Sequence, residues 1–202
     1  MGGEFDSKKK LADLLRKDFK FITKNLDNDP SEFWSRTFIK TTVSLIEAEI
    51  FLLKQEILHY CGNNQIQLSP ELLLFLNNKK YEINSSGQIT ERLLQVRVTD
   101  DIRFVFGQIL SIKGHKPQKD FEDAGWSKVI STIAVRNRLT HPKSVDDMNI
   151  SKQEVNDCKL AFNWCISNVV HYLDQEKNDI ERRVTNLEII RDKLINESSK
   201  DS

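Results

Sequence analysis

The sequence predicts an all-α protein: a bundle of five to six helices followed by a long C-terminal helix. Three observations predict it. Apolar residues recur at spacings of three and four through most of the chain. Only seven Gly and four Pro occur in 202 residues, which favours long uninterrupted elements over tight turns. Charged residues make up 30% of the chain, enough to clothe the outward faces of such helices. This length buries a proper core in one domain and leaves room for an appendage.

Leu11, Leu14, Leu15, Phe19 and Ile22 place a first amphipathic helix over residues 7 to 25. The MGGEF start resembles a cloning remnant, so residues 1 to 6 are expected to be disordered. After the break at Asn25 to Pro30, Ser31 is expected to cap a second helix that runs to about Cys61 and stops at Gly62. That helix is apolar on two faces, with Trp34, Phe38, Leu45 and Leu52 on one and Ile46, Ile50, Leu53 and Ile57 on the other. Such a helix is central to its bundle or lies between bundle and partner.

Ser69-Pro70-Glu71 opens a short third helix. Lys80 to Ile89 reads either as a loop or as a small hairpin around Ser85-Ser86-Gly87. Helical periodicity resumes near Glu91, with Thr99-Asp100-Asp101 starting the main run to Ile112. Lys113 to Lys119 forms a basic loop, solvated or touching phosphate. A fifth helix spans Phe121 to Thr140 and is ended by Pro142. Ser151 and Glu154 make a capping box for the sixth. Its pattern continues through Ile180, Val184, Leu187 and Leu194, a span of roughly 69 Å from Ser151 to Asn196 at 1.5 Å per residue. That is too long for a compact bundle, so the helix bends near Asp174 to Asp179 or projects as a dimerisation arm. The expected organisation is a bundle over 7–175, a helical extension over 176–197 and a disordered tail over 198–202.

Thirty basic and thirty acidic residues balance to zero formal charge, so nothing attracts nucleic acid or anionic membrane to the molecule as a whole. RNA or DNA binding would need a local patch. Cys61, Cys158 and Cys165 form no C-x-x-C pair and are expected as small buried side chains in a reducing cytoplasm. No apolar run approaches the ~18 residues of a membrane span. There is no glycine-rich phosphate loop, H-E-x-x-H or G-x-S-x-G, and no cofactor or metal is expected. His59 and His171 are isolated.

The most informative segment is Arg136-Asn137-Arg138-Leu139-Thr140-His141, at the end of the fifth helix. On a helical wheel Trp126, Val129, Ile130 and Ile133 form one apolar stripe, and Asn137 and Thr140 follow on it, with His141 at its edge. Polar groups on an inward stripe must be satisfied. Asn137 and His141 are helical neighbours, so the amide is expected to orient the imidazole. Arg136 lies at the margin of the stripe. Residues five apart on a helix are separated by about 140°, so Arg136 and His141 do not face each other. Pro142 pushes His141 out of helical geometry and lets it turn, and the helix C-terminus is a favourable place for a cation. A helix cap at His141 and a surface ion pair at Arg136 is the plainer alternative.

An Arg-Asn-x-x-x-His segment ending a helix, followed by Pro, in an all-helical chain of this size resembles the HEPN superfamily. The resemblance extends over residues 30 to 175 and includes a long preceding helix with Phe33-Trp34-Ser35-Arg36, Glu47 and Glu49. It implies a bundle that homodimerises so that two motifs meet in a composite, metal-independent endoribonuclease site. Arg136, Asn137 and His141 take the places of the motif's Arg, polar residue and His. It also implies a toxin or antiviral effector, with an antitoxin-like or nucleotidyltransferase-like partner, or a relative that has lost activity and only binds.

The residues fit that chemistry. RNA carries its own nucleophile, the 2′-hydroxyl, so cleavage needs proton transfer and charge stabilisation. Histidine moves protons near neutrality, and arginine's planar fork holds phosphate. A purely structural oligomerisation protein, working through the tail from Ile180 to Leu194, is the third reading. Glu49 is a candidate partner for Arg136, although exposure of Glu47 and Glu49 is the simpler expectation. Arg36 and Lys40 either line an RNA groove or are surface charges.

Overall fold

The structure is a computed structural model that describes residues 2–114 and 121–198. It is an all-α bundle with a long C-terminal helix, as its periodicity predicts. Helix α1 (Gly2–Asn28) begins earlier than residue 7, so residues 2 to 6, expected to be disordered, continue the helix. Its inward positions are Ala12, Ile22 and Leu26. Leu11 and Leu14 stay outside, about half exposed, because the stripe that meets the bundle is centred one residue away from them.

Helix α2 (Glu32–Asn63) is the central element and packs against α1 and most later helices. Its two apolar faces explain this position. Val43, Ile46, Ile50, Leu53 and Ile57 enter the main core, while Phe38 and Ile39 enter a second, smaller one. The helix ends differ in chemistry from expectation. Ser31 holds the N-cap position, but its side chain makes no capping bond. Gly62 lies inside the helix. The stop is a Schellman arrangement in which Ile66 N–H donates to Cys61 O (2.9 Å) and Gln65, at φ 54°, donates to Gly62 O (3.4 Å).

Helix α3 (Pro70–Leu76) is capped by the Ser69 hydroxyl. Residues 79 to 93 resolve the loop-or-hairpin ambiguity as a hairpin, with β1 (Lys79–Ile83) antiparallel to β2 (Ile89–Leu93) and Tyr81 opposite Glu91. Glu91 is therefore in a strand, and helical structure resumes only at α4 (Val98–Phe104). A π-helical stretch (Val105–Ile109) follows, then one turn, α5 (Leu110–Ile112). The wider turn places the consecutive residues Val105 and Phe106 both in the core. Lys54 of α2 is fully buried here. Its ammonium meets Asn78 Oδ1 (2.7 Å) and Asp101 (2.5 Å) and lies 4.6 Å from the centre of the Phe75 ring, tying α2 to α3, to the turn before β1 and to α4.

Helix α6 (Ala124–Thr140) packs along α7 (Lys152–Ser198) and across α2. Asp123 caps α6 through Trp126 N–H (2.7 Å) and also accepts from Trp164 Nε1 (2.9 Å), joining the two helices. The capping box of α7 is formed as expected: Ser151 N–H donates to Glu154 (2.8 Å) and Glu154 N–H to Ser151 Oγ (3.2 Å). All three cysteines are buried and free. Helix α7 is continuous over 47 residues, about 70 Å, without the break considered at Asp174 to Asp179. The expected tail lies outside the described residues from 199 onward. No described helix is long and apolar enough to cross a membrane.

Candidate functional site

The end of α6 sits where the smaller core cluster closes. Leu139 is 1% exposed there, packed with Phe38 and Ile39 of α2, Cys158 of α7 and Ile22 of α1. This rotates the inward face of α6. Trp126, Val129 and Ile133 face the core as predicted, but the last turns bury Leu139 and half-bury Val135 and Arg136 instead of Asn137 and Thr140. Asn137, Thr140 and His141 are exposed, and Ile130 is 44% exposed. The expectation that polar groups lie on the inward stripe is corrected accordingly. A helix with neighbours on two sides is not buried along one fixed line, and α6 turns from the main core toward the smaller one.

Arg136 is the motif residue that reaches inward. Its Nη2 donates to Glu47 Oε1 of α2 at 2.5 Å, and its Nε–H is buried without a hydrogen-bond partner among the described residues. Leaving such a donor unpaired costs about 1–3 kcal/mol. Glu49, the candidate partner for Arg136, is buried and engaged by Arg16 of α1 through Nε (2.7 Å) and Nη2 (2.8 Å). Two glutamates two residues apart project to different sides of α2, so each takes an arginine from a different neighbouring helix.

His141 is the C-cap of α6, at φ −126° and ψ 60°, outside helical geometry as the following proline requires. Its link to Asn137 runs through the backbone, His141 N–H to Asn137 O at 3.0 Å, and the amide side chain does not orient the ring. The Thr140 hydroxyl donates to Arg136 O (2.8 Å), which finishes the last turn. The exposed residues Ile130, Ala134, Asn137 and His141 then form a stripe at spacings of four, three and four along the outer side of α6.

The segment after His141 is held firmly. Asp147 accepts from the backbone N–H groups of Lys143 (2.7 Å) and Ser144 (3.0 Å), and these bonds keep its carboxyl below the usual range. Arg138 bridges Asn149 O (3.1 Å) and Glu154 (2.6 Å), while Arg36 reaches Met148 O (3.3 Å). Arg36 is thus a clamp on this segment rather than a groove lining; Lys40 is exposed. Asp147 was not singled out from the sequence. The spacing Ser144-x-x-Asp147, with the Ser144 hydroxyl accepting from Asp147 N–H (3.3 Å), is the turn signal that marks it.

Of the basic loop expected over Lys113 to Lys119, only Lys113 and Gly114 are described. Lys113 is almost fully buried, donating to Tyr172 Oη (2.5 Å) and paired with Glu176 (3.1 Å). Lys113 itself is therefore neither solvated nor available to phosphate; the rest of the loop, residues 115 to 119, lies outside the described residues. His59 bonds to Asn63 and His171 to Gln175, each one turn away along its own helix. An open cleft of about 300 Å³ lies between the start of α6 and α7, but its Asp123 and Lys128 are already engaged, Lys128 by Asp157 at 3.0 Å. No family model, curated protein or solved structure matches the chain.

Proposed function

We propose that the protein is a metal-independent endoribonuclease of HEPN type, whose site is completed when two copies bring their α6 termini together. The observation that carries this reading is Arg136: anchored by Glu47 at Nη2, with a buried unpaired Nε–H, a turn and a half before an exposed His141. A guanidinium anchored at one nitrogen, with its side chain 22% exposed, is pre-oriented so that its exposed edge can donate to a phosphate oxygen. His141 is in solvent, where a ring can exchange protons with a substrate.

The reaction balances with these groups alone. One His141 takes the proton of the 2′-hydroxyl as that oxygen attacks phosphorus. The bond from phosphorus to the 5′-oxygen breaks, and a protonated His141 of the second copy returns a proton to the leaving oxygen. The products are a 2′,3′-cyclic phosphate and a 5′-hydroxyl. Arg136 neutralises charge on the non-bridging oxygens, and Asn137, beside the ring on the exposed stripe, contacts the sugar-phosphate chain. A toxin or antiviral role with an antitoxin-like or nucleotidyltransferase-like partner belongs to the same proposal.

His141→Ala tests it. Its ring makes no hydrogen bond to the described residues, so the variant keeps its fold and far-UV circular dichroism. It should lose roughly 10²–10⁴-fold in cleavage of single-stranded RNA, followed by the appearance of cyclic-phosphate termini. Cleavage at the wild-type rate would overturn the assignment. The engagement of Arg136 by Glu47 favours a second reading, a catalytically silent binding module; it prevails if wild type and variant both bind RNA or copurify with a partner and neither cleaves.

A further inference from the structure

Helix α7 leaves the bundle after Glu176, and every later residue whose exposure is described is exposed, from Lys177 to Glu188. Yet this segment is not polar all round. Taking Val170 as position a of a heptad, the a positions are Val170, Lys177, Val184 and Arg191. The d positions are Leu173, Ile180, Leu187 and Leu194, an unbroken aliphatic row at intervals of seven. Val170, Leu173 and Val184 are 48–49% exposed, so this seam is uncovered where it emerges from the bundle. A sustained seven-residue repeat matches one kind of surface, another helix with the same repeat.

We propose that residues 170 to 194 of α7 form a parallel two-stranded coiled coil with the same segment of a second copy. Valine at a with leucine at three of the four d positions favours two strands, and the charged residues at a, Lys177 and Arg191, restrict the register at some cost in stability. The flanking charges choose the direction. In a parallel pair, position g of one chain meets the following e of the other, which sets Arg183 against Glu188 on both sides of the seam. The like-charged combinations are Glu176 against Glu181 on the flank and, at position a, Lys177 against Lys177 and Arg191 against Arg191; the first two are compensated within each chain, where Glu176 is paired with Lys113 (3.1 Å) and Lys177 with Glu181 (3.8 Å). An antiparallel pair centred on the same seam would instead face Glu181 with Glu181 and Arg183 with Arg183. Zero net charge on the chain adds no repulsion between copies. The seam is about 37 Å long, and a parallel arrangement leaves both bundles at the same end.

This inference stands independently of the ribonuclease reading, because none of its residues belongs to the α6 terminus. The 202-residue chain is expected to sediment at twice 23.5 kDa at micromolar concentration. Val184→Glu with Leu187→Glu lies outside the core, so it should leave the bundle's near-UV spectrum intact while raising the dimer dissociation constant at least tenfold. Orientation is read with Lys177→Cys, which places one thiol of each chain at the seam. Mild oxidation should give a disulfide-linked dimer, whereas Asn178→Cys, one residue further round the helix, should give little. The native cysteines are buried and do not compete. A monomeric wild type, a dimer indifferent to the double substitution, a higher oligomer, or equal cross-linking at 177 and 178 would each overturn the proposal.

Discussion

A Cβ built on Gly125 would lie 2.1 Å from Cδ1 of Trp164, well inside contact distance. The α6–α7 interface is that close because the Trp164 indole reaches across to Asp123, the residue that caps α6. Gly125→Ala therefore has to push the indole or the helix apart. It should cost about 1–3 kcal/mol, the range for overpacking, measured as a lower urea midpoint with an unchanged slope. Side-chain assignment near the candidate site follows the same logic of approach. Glu47 and Glu49 are chemically identical in the sequence, and only the positions of α6 and α1 around α2 decide that one takes Arg136 and the other Arg16. Nothing local distinguishes them. Asp147, by contrast, is marked locally by Ser144 three residues earlier, since both partners of that turn lie within one short segment.

At the scale of elements, the motif helix is defined by its two ends. Asp123 starts it and Pro142 ends it; the proline stop is visible in the chain, whereas the helical pattern places the start at Phe121, three residues before Ala124. The start of α7 is equally local. Ser151→Ala removes the hydroxyl that receives Glu154 N–H, and it should cost about 1 kcal/mol. Glu154 also holds Arg138, so the same substitution should speed amide exchange through residues 142–150, readable by hydrogen-exchange mass spectrometry. Undiminished protection there would show that Arg138 and Asp147 hold the segment without the cap. The wheel of α6 failed at Ile130 and again in the last turns. It assumes one buried line, while Leu139 is drawn toward the smaller cluster and Ile130 is left outward. The candidate residues were thus legible as a motif, but their orientation was not.

For the molecule as a whole, buried ionisable groups set the response to alkali. Burial pushes the Cys158 thiol up to about 12 and raises Cys165 and Tyr172 as well, the last helped by Glu56 and Glu176. In the unfolded chain thiols ionise near pH 8.5. Groups whose folded pKa is raised give their full stability below the unfolded value and lose it as pH rises toward the folded one. Stability should accordingly fall from about pH 8.5 upward, by roughly 1.4 kcal/mol per pH unit for each thiol. Lys54, lowered by burial, opposes this: it makes folding less favourable at lower pH and relieves that cost up to about pH 10.4, but it is one group against the thiols of Cys158 and Cys165, with Cys61 also raised by burial and Tyr172 adding its effect only above about pH 10. Urea denaturation between pH 7 and 10.5 checks the sign. The Cys158→Ala, Cys165→Ala double variant should show a flatter decline, and an equally steep one would place the effect elsewhere.

The sequence by itself determined the helical class, the capped ends of α3 and α7, the proline stop of α6, the burial of the cysteines and the excess length of α7. Each depends on periodicity or on chemistry within a few residues, where the chain supplies both partners. Only the tertiary structure decided that residues 79 to 93 pair as a hairpin, that Lys113 turns inward, that Arg136 meets Glu47, and that Asn137 and His141 face solvent. Those outcomes depend on which elements become neighbours. Burial of a polar side chain is decided by a partner that lies 59 or 89 residues away along the chain, as for Lys113 with Tyr172 and Arg136 with Glu47. No local pattern encodes a pairing at that distance.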